Sequence, residues 1–314
     1  MNVQSKPWLL STLGSLMLLV LTPGCGTIKR TAINGVGSAL SGDGSVFSSD
    51  DDPELIWDAL PFSLKLMESV LAETPEHQGL LLSLSSGFTQ YAVGFIKQDA
   101  DRLAIDDFEA SEKAYARVKT LSLRGHAYAL RALDLAHPGL TTDIQAQTFD
   151  GLAACSDEDV PTLYWAAASL GSAISVAKTD PDMVARIPIV EALIDRAYAL
   201  DPDYNNGDLH GFLITYETIR VGLSDAERRK RIDHHYKKAV ELSNGKTASP
   251  HLAYAEAVSI QKQDYQQFKD LMQKALAIKI EDHPENRLIN LIMQERAQWY
   301  INIADELFLL PSTD

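Results

Sequence analysis

Three arginines recur at intervals of seven residues, at Arg117, Arg124 and Arg131. Two turns of an α-helix take about 7.2 residues, so the three side chains should lie along one helix face. A guanidinium group has forked donors that match a carboxylate, and this face could therefore receive an organic acid or an acidic patch on a partner. The alternative, which we favour, is pairing within the chain, because it contains 43 acidic residues.

Aromatic side chains provide a second candidate site, on helices that should face one another. They are Phe88, Tyr91, Phe95, Tyr128, Tyr164 and Trp165. Such residues can line an apolar ligand cavity in which the hydroxyl groups orient the ligand. They can equally be ordinary core packing, and the sequence leaves both interpretations open.

The histidines and Cys155 do not indicate a reactive centre. Adjacent helical residues point about 100° apart, so His234 and His235 should not share a metal with His210, and we predict a solvated helix face with no metal or cofactor. Cys155 has no histidine nearby in sequence and is predicted to be a buried or semi-buried small residue. The sequence lacks Gly-x-Ser-x-Gly, a phosphate-binding loop and His-Glu-x-x-His, which argues against an enzyme.

The N-terminal segment has the pattern of an export signal. Lys6 precedes an apolar stretch from Trp8 to Leu21, which is shorter than the roughly 20 residues that a membrane-spanning helix needs. The stretch ends in Thr-Pro-Gly-Cys, which resembles the lipobox of bacterial lipoproteins, although Leu21 lies four residues before Cys25 rather than three. We therefore predict a lipoprotein signal peptide at 1–24 and lipidation of Cys25, with a plain cleaved signal or an uncleaved anchor as the alternatives.

The lipobox resemblance also predicts a location. Gly26 occupies the position after the cysteine, where an Asp would indicate retention at the inner membrane, so the periplasmic leaflet of the outer membrane is favoured. Residues 25–52 are rich in Gly and Ser and are predicted to be a flexible tether, in which a short helix around 33–40 is compatible with the sequence.

The rest of the chain, residues 53–314, is predicted to be one all-α domain. Apolar residues recur at spacings of three and four, and Asp52-Pro53 is typical of a helix start. A second helix, ending near Phe95, should form an antiparallel hairpin with the first, and the last helix should cap the exposed end of the array. The other predicted helices cover 101–137, 143–154, 160–178, 183–200, 208–221, 225–243, 251–262, 265–280 and 284–310. Small residues such as Gly171 and Ala197, followed by Pro202, suggest stacked tetratricopeptide-like helix pairs in an α-solenoid.

The bulk composition limits the function further. A net charge of −15 argues against binding nucleic acid, because a DNA- or RNA-binding surface must be basic. With Cys25 lipidated, Cys155 is the remaining thiol, so no intramolecular disulfide is expected.

Four segments of the chain carry a specific family resemblance. Residues 51–95, with Asp-Pro-Glu-Leu-Ile-Trp and Ser-Gly-Phe-Thr-Gln-Tyr, and residues 114–133, 160–165 and 199–204 resemble the TatT family. Its members are tetratricopeptide-repeat T components associated with tripartite ATP-independent periplasmic (TRAP) transporters.

The resemblance implies a periplasmic lipoprotein that self-associates as a trimer, docks the solute-binding P component and contains an apolar pore or groove for a ligand. It supplies no residue-level binding motif. The alternatives are a helical-repeat scaffold for envelope or outer-membrane assembly, and a periplasmic hydrolase; transporter genes beside this one would favour the TRAP role over the scaffold.

Overall fold

The computed structural model describes residues 25–41 and 45–309, and within these ranges it contains helices and turns but no strand. The predicted all-α class is confirmed. The predicted signal peptide, residues 1–24, lies outside the described residues.

The N-terminal half contains α1 (Cys25–Leu40), α2 (Ser45–Ser48), α3 (Pro53–Glu73), α4 (Gln78–Tyr91), α5 (Lys97–Asp106), α6 (Phe108–Ala136), α7 (Leu140–Gln145) and α8 (Val160–Ser175). The C-terminal half contains α9 (Pro181–Val184), α10 (Ile187–Leu200), α11 (Tyr204–Tyr216), α12 (Asp225–Leu242), α13 (Ser249–Tyr254), α14 (Ile260–Lys262), α15 (Tyr265–Leu276), α16 (Arg287–Asn302) and α17 (Ala304–Leu307). One π-helical turn, Ala92–Ile96, joins α4 to α5, and a second, Ala255–Ser259, joins α13 to α14.

The start of α3 is set locally, as predicted. The Asp52 carboxylate accepts hydrogen bonds from the backbone N–H groups of Glu54 and Leu55, at 3.1 and 3.0 Å. Pro53 occupies the first turn, where the N–H that it lacks would have no partner in the helix. Pro61 lies inside α3, which continues to Glu73 without restarting.

The predicted single helix over 101–137 is wrong, because the chain reverses at Asp107. This residue has a φ of −140° and its side chain accepts from the Ala110 N–H, so it ends α5 and caps α6. The two sides of the reversal run antiparallel, and next to it Ser111 of α6 donates to the carbonyl of Ala100 of α5 at 2.9 Å. Further from the reversal, a Cβ at Gly125 of α6 would lie 2.8 Å from the carbonyl oxygen of Ser85 in α4. The absence of a side chain at Gly125 thus sets how closely α4 and α6 approach.

Several other predicted helices are divided or shortened. Residues 143–154 and 183–200 are each broken: α7 is followed by a 3₁₀ turn at Asp150–Ala154, and α9 is separate from α10, whose first turn contains Pro188. The helices predicted over 208–221 and 265–280 end early, at Tyr216 and Leu276, and the one predicted over 284–310 is interrupted at Ile303.

The core follows the chain as three successive apolar clusters, as a stacked array requires. Leu80 and Leu84 are at the centre of the first, Leu163 and Leu193 of the second, and Phe268 of the third. Small residues permit close contact between helices, as predicted. A Cβ at Gly171 would lie 3.2 Å from the Phe212 ring, and Ala197 is fully buried.

The two ends of the array contact each other, and the prediction that the last helix caps an exposed end is wrong. Helix α16 packs against α15 and also against α2 and α3. Its Arg296, 5% exposed, donates to Gln98 at 2.5 Å and pairs with Asp101 at 2.8 Å, and both partners lie within α5. The Arg296 Nε also pairs with Glu256, in the second π turn, at 3.1 Å. A buried guanidinium therefore joins the C-terminal helix to the N-terminal ones.

The segment predicted to be a tether, residues 25–52, contains α1 and α2. Helix α1 packs on α3 and α4, and Gly37 is buried where a Cβ would lie 2.9 Å from the His77 ring. Glycines that suggested flexibility here also permit close packing. Flexibility of the segment in the lipidated protein, and the boundary at residue 53, stay predictions.

Candidate functional site

Each arginine of the seven-residue repeat lies over an aromatic ring of the second candidate set. The distances from guanidinium carbon to ring centroid are 5.7 Å for Arg117 over Tyr91, 4.9 Å for Arg124 over Phe88 and 5.6 Å for Arg131 over Tyr128. The Phe88 and Tyr128 rings are stacked, with centroids 6.0 Å apart. We call these six residues the arginine–aromatic ladder; it joins α4 to α6 and merges the two predicted sites.

The middle of the ladder is neutralised by Glu68 of α3. This carboxylate pairs with Arg124, accepts from the Tyr128 hydroxyl at 2.6 Å and pairs with Lys65 at 2.5 Å. Burial alone would raise the pKa of Glu68, but the hydrogen bonds from Lys65 and Tyr128 and the charge of Arg124 lower it. Glu68 is therefore ionised, and the predicted internal pairing is confirmed for Arg124.

The two ends of the ladder differ from its middle. Arg117 donates to the Tyr91 hydroxyl at 3.3 Å, and Arg131 donates to the Pro75 carbonyl at 3.1 Å. Both arginines are exposed, and no ion pair joins either one to a carboxylate within 25–41 and 45–309. Among the described residues, the internal pairing that the sequence favoured is not found for these two. A guanidinium held over a ring keeps N–H donors for a carboxylate while its side chain loses little further entropy on binding.

Aromatic packing extends the ladder beyond Tyr91. The Trp57 ring, from α3, lies 5.5 Å from Tyr91 and 5.4 Å from Phe95, another predicted residue. Sequence reasoning missed Trp57. Its spacing of three and seven from Leu60 and Leu64, on the apolar side of α3, was the signal that could have found it.

Tyr164 and Trp165 belong to a separate cluster. Their rings are 5.1 Å apart, and Tyr164 also contacts Tyr204 at 5.4 Å and Phe212 at 6.4 Å. In the described part of the chain, no ring contact joins this cluster to the ladder. The predicted aromatic set is therefore divided between two places on different helices.

Two clefts that sequence reasoning missed lie in the C-terminal half. One, of about 490 Å³, is lined by Asp233, Tyr254, Asp270 and other residues of α12, α13 and α15. The other, of about 420 Å³, lies along α12 and includes His234. Neither includes a residue of the ladder, and their charged walls give no sign of the apolar ligand groove that the family resemblance implies.

The three histidines are brought together in space. His210 of α11 is 1% exposed and His235 of α12 is 6% exposed, and their Nδ1 atoms are 2.8 Å apart. A nitrogen of each of these two and of the exposed His234 lies within 4.8 Å of the others. The predicted solvated helix face is correct for His234 alone. The sequence could not show that α11 inserts a third imidazole against α12.

Cys155 is buried, as predicted, and it lies close to His137 and Asp159, with ligand atoms within 4.8 Å of one another. The His137 Nε2 is 2.9 Å from Asp159 Oδ2. Burial, and then the charge of Asp159, raise the pKa of the Cys155 thiol to about 11. The thiol therefore stays protonated and unreactive near neutral pH.

These features define a class of protein: an array of helix pairs, closed by a buried ion-pair network, with arginines and aromatic rings combined on its surface. The chain matches the family described as "TRAP transporter T-component" over residues 49–308 and belongs to that family, whose members are auxiliary components of TRAP transporters. An uncharacterized protein of Treponema pallidum (strain Nichols) is 29% identical over 273 residues, which cover 84% of this chain and 83% of the relative.

Proposed function

We propose that this chain is a lipid-anchored periplasmic adaptor of a TRAP-type system, which docks the solute-binding P component and takes a small, partly hydrophobic organic acid. The observation that carries the proposal is the pair of exposed ladder arginines, Arg117 and Arg131, which lie over aromatic rings without an acidic partner among the described residues. Arginine and aromatic residues are enriched in the central, buried parts of protein interfaces.

The negative charge of the chain limits where an acidic partner or ligand can bind. The whole chain has a net charge of −15, which would repel most acidic proteins and anions. An acidic patch or a carboxylate ligand is therefore attracted to cations that have no carboxylate of their own, and Arg117 and Arg131 are two of these. Such steering weakens as salt shortens the Debye length, which is about 8 Å at physiological ionic strength.

Lipidation of Cys25 is part of the proposal. Two or three acyl chains on this cysteine would hold the protein at a membrane far more firmly than a single myristoyl chain does. Gly26 favours the outer membrane, so the domain would face the periplasm from its inner leaflet. Mass spectrometry of the N-terminal peptide from a membrane fraction tests this step; an unmodified Cys25, or a mature chain that begins elsewhere, would rule it out.

Self-association, as a trimer, has a candidate surface on α3. Leu55, Phe62 and Leu66 are 56%, 73% and 41% exposed and share one face of the helix, at spacings of seven and four. We expect Phe62→Ser to shift the full-length protein in detergent toward the monomer in light-scattering chromatography. Phe108→Ser, at a residue 74% exposed on another helix, is the control and should leave the oligomer unchanged.

The docking proposal is tested by measuring binding between the full-length protein and the P component encoded beside it, with and without ligand. We expect Arg117→Gln and Arg131→Gln each to weaken binding by about tenfold, which is 1.4 kcal/mol. Lys269→Gln removes a cation that lies 4.7 Å from the Tyr265 ring on α15, and as a matched control it should have no effect. Failure to associate in either ligand state, or equal losses in all three variants, would contradict the proposal.

A further inference from the structure

Three imidazoles come together between two helices of the C-terminal half, α11 and α12. His210 comes from α11, while His234 and His235 are consecutive in α12. The ring centroids are 5.0 Å apart for His210 and His235, 5.9 Å for His210 and His234, and 5.3 Å for His234 and His235. Because one nitrogen from each ring lies within 4.8 Å of the others, the three can face a common point.

From this geometry we propose that His210, His234 and His235 form a binding site for a divalent transition-metal ion such as zinc. Three neutral imidazoles without a carboxylate in the set favour zinc, copper or nickel over calcium or magnesium, which require oxygen ligands. The site lies outside the arginine–aromatic ladder and does not depend on the proposed docking function.

The spacing of the nitrogens is close to what such an ion needs. Zinc–nitrogen bonds of about 2.0–2.1 Å in tetrahedral geometry place two ligand nitrogens roughly 3.3 Å apart. The His210 and His235 Nδ1 atoms are 2.8 Å apart, so they must separate by only about 0.5 Å to admit an ion. In the 2.8 Å contact one Nδ1 carries hydrogen and the other accepts it. When metal binds, that hydrogen moves to the Nε2 of the same ring, so each ring of the buried pair offers its Nδ1 to the ion and neither ring releases a proton.

The buried pair is fixed in position by packing. His210 is 1% exposed and His235 is 6% exposed, so neither ring can turn freely away from the other. The Tyr198 ring lies edge-on to both, with centroids 5.6 Å from His210 and 5.8 Å from His235, and restricts their orientation. Exposed His234 leaves a side open to solvent, through which an ion can enter and a water can complete the tetrahedron.

Charges around the site act in both directions. The carboxylates of Asp203 and Glu241 favour a cation near His210, while Lys238 disfavours it. Arg220 and Arg231 act on His235 in the same unfavourable sense, but the guanidinium of Arg220 is paired with Glu217, Asp195 and Glu191. Since Arg220 is neutralised by three carboxylates, its repulsion of an ion at the histidines is small.

The turn just before His210 contains residues in a strained backbone conformation. Asn205, Asn206 and Gly207 adopt positive φ angles of 47°, 55° and 101° just before His210. The two asparagines cost energy in this conformation, which persists only where the surrounding structure holds it, whereas glycine adopts it freely. Gly207 is buried where a Cβ would lie 3.2 Å from the Ala239 Cα, so this turn brings α11 against α12 and places His210 beside His235. A metal bound by both helices would stabilise the same contact.

The test is zinc binding to full-length protein in detergent, purified without a histidine tag and stripped with a chelator. Titration calorimetry, with metal analysis after dialysis, should give one equivalent of Zn²⁺ per chain. His234→Gln removes the exposed ligand without disturbing the core and should weaken binding at least tenfold, and His210→Gln should abolish the equivalent. His251→Gln is the matched control. His251 is as buried as His235, at 6% exposure, and its Nδ1 is hydrogen-bonded to the Tyr236 hydroxyl. This variant should leave zinc binding unchanged.

Two results would overturn the assignment. One is that the wild-type protein binds no Zn²⁺ beyond what His210→Gln binds while both give the same circular dichroism. The other is that binding survives His234→Gln and His210→Gln but is lost in His137→Gln, which would place the metal with Cys155 and Asp159 instead. Co²⁺ substitution adds a readout independent of affinity, because a tetrahedral three-nitrogen site gives a strong visible absorption that His234→Gln should alter.

Discussion

Replacement of Arg296 by methionine should destabilise the protein by about 3 kcal/mol. The Arg296 side chain is 6% exposed and pairs with Asp101, whose side chain is 12% exposed, and with Glu256, which is 39% exposed. Removing one partner of a buried ion pair costs about 3–5 kcal/mol, because the remaining charge stays desolvated. The lower value applies here, since Lys97 still pairs with Asp101 at 2.8 Å and Glu256 is partly solvated.

The assay is urea unfolding of the full-length protein, followed by circular dichroism. With a slope of about 3 kcal/mol per molar urea, the midpoint should fall by about 1 M without a change in slope. Arg102→Met is the matched control. Its guanidinium joins the same two helices, α5 and α16, by pairing with Glu295 at 2.9 Å, but the two side chains are 33% and 65% exposed. An exposed pair contributes about 0–1 kcal/mol, so the control should shift the midpoint little.

Combining Arg296→Met with Asp101→Asn separates the ion pair from side-chain packing. If the carboxylate left behind is the source of the loss, the double variant should recover part of the stability that the single variant loses. Equal midpoints for Arg296→Met and Arg102→Met, or no recovery in the double variant, would refute the conclusion that a buried ion pair holds the two ends of the array together.

Three further predictions concern other buried groups. Gly125→Ala places a Cβ 2.8 Å from the Ser85 carbonyl oxygen and should lower the free energy of unfolding in urea by about 1–3 kcal/mol. Gly94→Ala is the control, because its Cβ meets nothing within 4 Å and should not change that free energy. Equal effects of the two variants would contradict close packing of α4 on α6. Burial lowers the pKa of His126 to about 4, so the unfolded chain takes up the proton first as the pH falls from about 6.5. Stability present above pH 6.5 should therefore be lost toward pH 4, and His126→Gln should show a shallower loss. Cys155 is 3% exposed, and burial raises its pKa to about 11, so it should react with a thiol reagent in urea but not in the native protein. The Cys155→Ala variant identifies the signal of this thiol. Rapid labelling of the native protein would argue against its burial.

The sequence was sufficient for features that depend on near neighbours in the chain. Spacings of three, four and seven predicted the helices and the common face of the arginines, and Asp52 before Pro53 located the start of α3. The signal for the reversal at Asp107 was also local, an N-cap acceptor, but the apolar periodicity that continues through it concealed the break.

The spacing of residues along the chain could not give the partners of charged groups. The sequence contains 43 acidic residues, and nothing in it shows that Glu68 meets Arg124 while Arg117 and Arg131 meet aromatic rings. These pairings depend on the relative rotation of α3, α4 and α6, which is set by the packing of the whole core.

The sequence by itself thus determined the helical class, many of the helix positions, the periodicity of the arginine face and the resemblance to the family. Tertiary structure alone decided that α16 returns to the N-terminal helices, that Tyr164 and Trp165 separate from the ladder, and that His210 meets His235. The physical reason is the range of the interactions. Helix formation and capping involve residues within one or two turns, whereas a buried ion pair between positions 101 and 296, or an imidazole contact between positions 210 and 235, exists only after the elements have packed.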